Sequence, residues 1–585
     1  MKSFFKSFFA SLLALFTFTV LGFFIIIGII ASVSSDEKKS ISDNSVLVID
    51  ASEAFLEQSK NDPFSELMNK KNGKTPSLSE LVGLINYATT DSAIKGIYIK
   101  CTENPNGYAA SEEMRKALIA FKKSKKFIIA YGETMTQKGY MIGNVADLIY
   151  VHPNGGLEWN GFNYETMFLK GLIDKLEIQP QIFYAGKFKS ATEPFRYTQM
   201  SEANKLQTSV WLNSIYNSFI EGAATMRHLN ADSLKSMANE GLIQTPNDAL
   251  KYKLVDGLLY NDQLKKVIAK KLKEQKENEI SFVTINEYAD AVALRGTGGG
   301  KIAVIYADGD VVMGKGERES IASDDYRVLI QKIRNDKSID AVVLRVNSPG
   351  GSSLASDIIW REIDLLKKEK PVIVSMGNVA ASGGYYIACG ADSIFADANT
   401  ITGSIGVFSV IPNVERFMKN KLGITFDRVK TGAYADAPSA TRTLTPTEQR
   451  FLQSGVDSVY HTFKSRVAAG RKRNIEYIDS IAQGRVWTGS DAIKVGLVDK
   501  IGTLKDAIIA ASKMAHLKGY SIKAYPESKS FIEEFFEGYK KEVKVKAIQQ
   551  EIGIEQWEVL QQMKSIKQMM GTPQTRLPIF EVNHR

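Results

Sequence analysis

The apolar run Val372-Ile373-Val374-Ser375-Met376 leads through Gly377-Asn378-Val379-Ala380-Ala381 to Ser382-Gly383-Gly384-Tyr385-Tyr386, where a helical pattern opens. A serine at the start of a helix stands beside unpaired backbone N–H groups and the positive end of the helix dipole. That setting suits a hydroxyl attacking a carbonyl, because the developing negative charge is stabilised there; Gly383 is the local donor. Taken alone, Ser382 would be assigned to capping, the commonest job of a serine at that position. A second segment shifts the balance. Arg345-Val346-Asn347-Ser348-Pro349-Gly350-Gly351-Ser352 follows another apolar run and sets paired glycines where a backbone can approach a ligand closely. By itself it reads as a strand-to-helix turn, Pro-Gly being a frequent turn dipeptide. On successive βα units the two segments together fit a nucleophile and an oxyanion hole.

A nucleophilic serine needs a base. The five histidines, His152, His228, His461, His516 and His584, stand in no catalytic context, most of them in polar or helical stretches. Lysine serves instead if burial lowers its pKa from about 10.4 by roughly three units, a shift of about 4 kcal/mol that a buried site can supply. With 74 Lys and Arg in the chain, composition does not select which one.

The elements that must position these groups repeat. The chain matches itself at a near-constant spacing, pairing Asp91 with Asp336, Ile94 with Ile339, Gly132 with Gly377, Gly139-Tyr140 with Gly384-Tyr385, Asp147 with Asp392 and Gly161 with Gly406. Further on, Leu254-Val255-Asp256 matches Leu497-Val498-Asp499. Within each half, β-rich runs such as Lys301–Tyr306, Ala341–Val346, Pro371–Met376 and Ser393–Ala396 alternate with helical patterns such as Asp324–Arg334 and Ser356–Lys368. That order predicts an α/β fold of βα units. A charged stretch, Lys265–Glu279, and the glycine-rich Gly296-Thr297-Gly298-Gly299-Gly300 separate the halves and put the boundary near 300.

At 585 residues, with 44% hydrophobic and 24% charged residues, the chain is globular and too long for one core. Residues 7 to 35 carry no charge, and Phe8–Ala31 is almost wholly apolar; as a helix it would span roughly 36 Å, enough to cross a bilayer. Lys2 and Lys6 precede it and Asp36-Glu37-Lys38-Lys39 follows, so the positive-inside rule places the N-terminus in the cytoplasm and the bulk outside. A cleaved signal peptide is the alternative, but the apolar stretch is about twice the usual h-region, which favours a retained anchor. Cys101 and Cys389, the two cysteines, offer no metal-ligand spacing and are expected as buried free thiols. The net charge of +9 is interleaved with acidic residues and comes with no nucleic-acid motif, so no nucleic-acid partner is expected.

These motifs resemble the signal peptide peptidase A family (protease IV), peptidase family S49, in its long tandem form. The resemblance rests on Ala381-Ser382-Gly383-Gly384-Tyr385-Tyr386, Asn347-Ser348-Pro349-Gly350-Gly351, Thr402-Gly403-Ser404-Ile405-Gly406 and Tyr184-Ala185-Gly186-Lys187-Phe188-Lys189-Ser190-Ala191-Thr192-Glu193-Pro194-Phe195, and runs to about residue 525. It implies tandem crotonase-like (ClpP/crotonase) α/β domains after an N-terminal transmembrane helix. Residues 1–35 would be the stub and anchor, 36–295 the repeat supplying the base, 300–525 the repeat supplying the nucleophile, and 526–585 a helical tail. It also implies a membrane serine endopeptidase with Ser382 as nucleophile, Lys189 as general base, Ser404 orienting the lysine, and an oxyanion hole drawn from Gly350, Gly351 and Gly383. No metal or cofactor is implied. The expected partners are signal-peptide remnants and unfolded segments, the inner membrane, with the bulk on its periplasmic side, and copies of the chain in a tetramer.

The resemblance accounts for the repeat, since each half keeps only part of the site. Opposite Ser382 and Gly383 the first half has Gln137 and Lys138, opposite Gly350 and Gly351 it has Pro105 and Asn106, and opposite Ser404 it has Trp159. The second half has Tyr434-Ala435-Asp436 where the first has Phe188-Lys189-Ser190. Two other functions compete. Acyl-CoA chemistry on the same fold is disfavoured by the lysine and serines and by an exported location. A non-catalytic scaffold is disfavoured because decay would not leave one complete set of residues.

Overall fold

The structure, a computed structural model, describes residues 2–34, 41–59, 75–274, 276–292, 298–316, 320–527 and 573–577. The first element is the helix Lys2–Ser34. Only part of its side chains is described, and among the described residues no helix is long and apolar enough to cross a membrane. The expected anchor over Phe8–Ala31 therefore rests on the sequence pattern alone.

Strands of the first half are β1 (Ser45–Asp50), β2 (Ile94–Lys100), β3 (Phe127–Met135), β4 (Leu148–Leu157), β5 (Gln179–Ala185), β6 (Gly257–Leu258) and β7 (Phe282–Thr284). The second half contributes β8 (Gly300–Asp308), β9 (Asp310–Val312), β10 (Ser320–Ala322), β11 (Ala341–Ser348), β12 (Gly350–Ser352), β13 (Val372–Ala381) and β14 (Ser393–Ala396). It continues with β15 (Ile401–Gly403), β16 (Val407–Asn413), β17 (Val486–Thr488), β18 (Lys500–Ile501), β19 (Tyr520–Tyr525) and β20 (Gln574–Arg576). In β11 the run Ala341–Val346 is buried at every position. Apolar at every position but Arg345, such a run is what a central parallel strand needs when helices cover both faces.

The repeat visible in the sequence is a repeat of topology. The first-half sheet runs β6-β4-β3-β2-β1-β7, all parallel. The second-half sheet contains the same path, β18-β14-β13-β11-β8-β19, with β15 and β17 added beyond the end of β13. The residues that recur hold equivalent bonds. Tyr140 donates its hydroxyl to Leu254 O at 2.7 Å, and Tyr385 donates to Leu497 O at 2.8 Å. Asp147 accepts from Ile128 N and Asp392 from Val372 N, while Asp256 accepts from Ile149 N and Asp499 from Ile394 N.

The boundary near 300 does not separate two self-contained bodies. A third sheet, β10-β9-β12-β20-β16-β5, mixes strands of both halves, and β5 of the first half pairs antiparallel with β16 from Gln179↔Asn413 to Ala185↔Val407. A buried ion triad also joins the halves. The Arg345 guanidinium, 1% exposed, meets Glu57 at 2.9 Å and Glu113 at 2.8 Å, and donates to Ser375 Oγ and Met376 O. Cys101 and Cys389 are free and buried, as expected.

The tail expected to be helical from 526 departs from that expectation where it is described. Residues 574–576 form strand β20, antiparallel to β12 and touching β16, because the free edges of those strands offer backbone partners that a helix could not use. The rest of that tail lies outside the described residues.

Candidate active site

Three segments meet at the third sheet. β13 ends at Ala381, and Ser382 follows at φ 55°, ψ −114°, directly before the short helix Gly383–Ala388. A non-glycine residue at this conformation is strained and is retained only where its surroundings hold it. Here Ser382 N–H donates to Gly403 O at 2.8 Å, which ties the serine to β15. The capping assignment fails, since the Ser382 hydroxyl makes no cap bond to the helix.

Lys189 arrives from the other repeat. β5 is held in register by β16, and the chain then turns through Gly186 to Lys189 and a 3-10 turn at Ser190–Thr192. Lys189 Nζ lies 2.9 Å from Ser382 Oγ, 3.1 Å from Ser404 Oγ and 3.3 Å from Ser404 O. Lys189 is 2% exposed, Ser382 0% and Ser404 1%. Burial lowers the Lys189 amine to about 7, because a charged ammonium is disfavoured where water cannot solvate it. An amine so shifted is in good part neutral near pH 7 and can accept a proton from a hydroxyl.

The glycines cluster beside the serine. Gly350 has φ +97°, and a Cβ built there would lie 2.1 Å from Thr575 O and 2.5 Å from Gly383 N, so only glycine fits. Gly350 N–H donates to Ser348 Oγ at 3.1 Å. Gly383 is the first residue of its helix, where the N–H has no partner within the helix. Sequence reasoning thus named six residues from four separate stretches of chain, and the structure brings them together at one place.

It missed the shell that holds them. Gln483-Gly484-Arg485 touches both the lysine and the orienting serine: Phe188 N–H donates to Gln483 O at 2.7 Å, Ser404 N–H to Arg485 O at 2.7 Å, and Gly484 N–H to Ile405 O at 2.8 Å. Gly484, at φ +73°, packs so close that a Cβ would lie 2.7 Å from Lys189 Cβ and N. Gln207 donates to Phe188 O and Ser190 Oγ and accepts from Val486 N. Glu193 accepts from Ser201 and Asn204, fastening the Lys189 turn to the helix Glu202–Arg227. A glycine between Gln and Arg was the only signal in the sequence, and it is too common to select. In the first half the counterparts serve packing: Gln137 bonds Asn160 and Gly161, and Trp159 donates to Leu234 O.

A serine hydroxyl facing a buried amine, on tandem parallel α/β sheets, places the chain in the serine hydrolase class. The family model of Peptidase family S49 matches residues 120–276 and 364–518. The chain is 36% identical to "Protease 4" of Salmonella typhi over 468 residues, covering 78% of this chain and 75% of that protein. It is 33% identical to "Protease 4" of Haemophilus influenzae, with 85% and 83% covered. It is 32% identical to "Serine protease SPPA, chloroplastic" of Arabidopsis thaliana, with 75% and 66% covered. The chain belongs to peptidase family S49 and is a serine peptidase.

Proposed function

We propose that this chain is a membrane-anchored endopeptidase that cuts signal-peptide remnants and other short or unfolded segments with a Ser382/Lys189 dyad. The observation that carries the reading is the 2.9 Å approach of a buried, proton-poor Lys189 amine to Ser382 Oγ. Neutral Lys189 takes the Ser382 proton as Oγ attacks the scissile carbonyl, and Ser404 holds the amine on line. The tetrahedral oxyanion is met by the N–H of Gly383 with that of Gly351, or with that of Gly350 once it leaves Ser348 Oγ. Lys189 returns its proton to the leaving amine, leaving an acyl-enzyme, then removes a proton from water, which releases the second product. The apolar stretch Phe8–Ala31 after Lys2 and Lys6, within the helix Lys2–Ser34, supports a single-pass anchor with the bulk on the periplasmic side. A tetramer enclosing the sites suits substrates that arrive unfolded.

The test compares wild type, Ser382→Ala and Lys189→Ala on an unfolded protein and on a fluorogenic peptide, with folding verified by far-UV circular dichroism. Loss of cleavage in both folded variants supports the dyad. Equal activity in all three removes it.

A further inference from the structure

We infer that strand β20, residues 574–576, is a built-in occupant of the peptide-binding cleft, so that the chain competes with its own substrates; the inference rests on the dyad reading above. β20 lies between β12, which carries Gly350 and Gly351, and β16, which follows Ser404 and pairs with the strand leading to Lys189. Its register is Gly350↔Arg576, Gly351↔Thr575 and Ser352↔Gln574, antiparallel. Adding an antiparallel strand to an open edge is how an extended peptide is bound by its main chain, with little demand on sequence. The other edge of β12 is already taken by β9. A substrate that used this edge would therefore have to displace β20.

The fit is that of a bound peptide. Leu577 N–H donates to Pro349 O at 2.8 Å, Thr575 Oγ1 to Gly351 O at 3.2 Å, and Ser353 Oγ to Pro573 O at 2.9 Å. Arg576 pairs with Asp310 at 2.9 Å. Thr575 sits against the glycines assigned to the oxyanion, its Oγ1 2.9 Å from where a Gly383 Cβ would stand. Leu577 is buried, in the apolar cluster that includes Ala381 and Val486. With this strand in place Ser382 has no exposed surface, so a peptide cannot reach its hydroxyl unless the cleft opens. Being part of the same chain, the strand acts as an intramolecular ligand, and its competition does not weaken on dilution.

The test uses the full-length chain with Arg576→Glu, which sets a carboxylate against Asp310, and separately Leu577→Asp, which places a charge in the apolar cluster. Peptidase kinetics on a fluorogenic peptide are expected to show KM lowered at least about fivefold with kcat unchanged, the signature of a removed competitor. A labelled synthetic peptide spanning residues 570–580 is expected to bind both variants more tightly than wild type by fluorescence anisotropy, and to inhibit them competitively. Unchanged KM in both variants overturns the inference. So does loss of kcat restored by the added peptide, which would make β20 a structural part of the site. Anisotropy does not depend on turnover: if every chain is catalytically inert, tighter peptide binding by the variants still supports cleft occupancy while the dyad reading fails, and absence of that binding overturns the occupancy itself.

Discussion

Lys189 Nζ stands 2.9 Å from Ser382 Oγ across a sequence separation of 193 positions, and each residue comes from a repeat that lacks the other's counterpart. The pairing of β5 with β16 is what spans that distance, because it carries the end of the first repeat's fifth strand to the mouth of the second repeat's sheet.

The lysine must be neutral to act, so the pH profile follows its titration. Below about 7 the amine is protonated and cannot accept the serine proton; above it the neutral form dominates. The ratio kcat/KM, which reports the free enzyme, is expected to rise with pH through about 7 and level off above it. A profile flat from pH 5 to 9 would contradict the assignment.

Burying the amine also costs stability. Its pKa falls from the ordinary 10.5 to about 7 on folding, so between those values the unfolded chain holds more protons and stability rises with pH across the window. At pH 7 the penalty is roughly 4–5 kcal/mol by the free energy of such a shift. Lys189→Met removes it but leaves two serine hydroxyls without the amine, at about 1–3 kcal/mol. Thermal unfolding is expected to show an inactive variant that is more stable at pH 7, with the gain shrinking toward pH 10. A gain independent of pH would place its source elsewhere.

Ser404→Ala removes the hydroxyl 3.1 Å from the lysine amine while keeping the fold. The expected result is a kcat lower by roughly 10- to 100-fold with KM little changed, as for a group that orients the base. An equal loss in KM alone would assign Ser404 to substrate binding.

Gly484→Ala tests the shell that the sequence did not reveal. Its Cβ would press on Lys189 Cβ and backbone from 2.7 Å, and a displacement of about 1 Å at a catalytic group costs on the order of 100-fold in rate. Activity should fall by about that factor in a chain whose far-UV circular dichroism is unchanged. Full activity would show that the Lys189 turn yields without consequence.

Arg345→Met strips the shared cation from Glu57 and Glu113. Two buried carboxylates without their partner cost about 3–5 kcal/mol. Because the shared sheet still joins the halves, activity and secondary structure are expected to be lost together on heating, at a midpoint well below that of wild type. An unchanged midpoint would show that Glu57 and Glu113 do not depend on Arg345.

By itself the sequence determined the repeat and the α/β alternation, and it named candidate site residues, Ser382 and the glycines by residue type and Lys189 and Ser404 through the family resemblance. Those features are local or periodic: apolar runs such as Val372–Met376 encode a strand wherever they occur, and Ser382-Gly383-Gly384 or Gly350-Gly351 are backbone requirements written in residue type. Nothing local says that Lys189 faces Ser382, that Gly484 presses on the lysine, or that Arg345 bridges Glu57 and Glu113. The first two depend on antiparallel pairing between strands far apart in sequence, β5 with β16 and β15 with β17, and such pairing is satisfied by backbone N–H and C=O groups that every residue carries; the third depends on how the helix Tyr108–Lys122 and the loop holding Glu57 come against β11. The same holds for β20. Gln574-Thr575-Arg576 has no periodicity of its own, and it is extended because β12 and β16 leave an open slot that only a strand can fill. The lowered pKa of Lys189 is likewise a tertiary property, since it comes from the packing that excludes water around one amine among many in the chain.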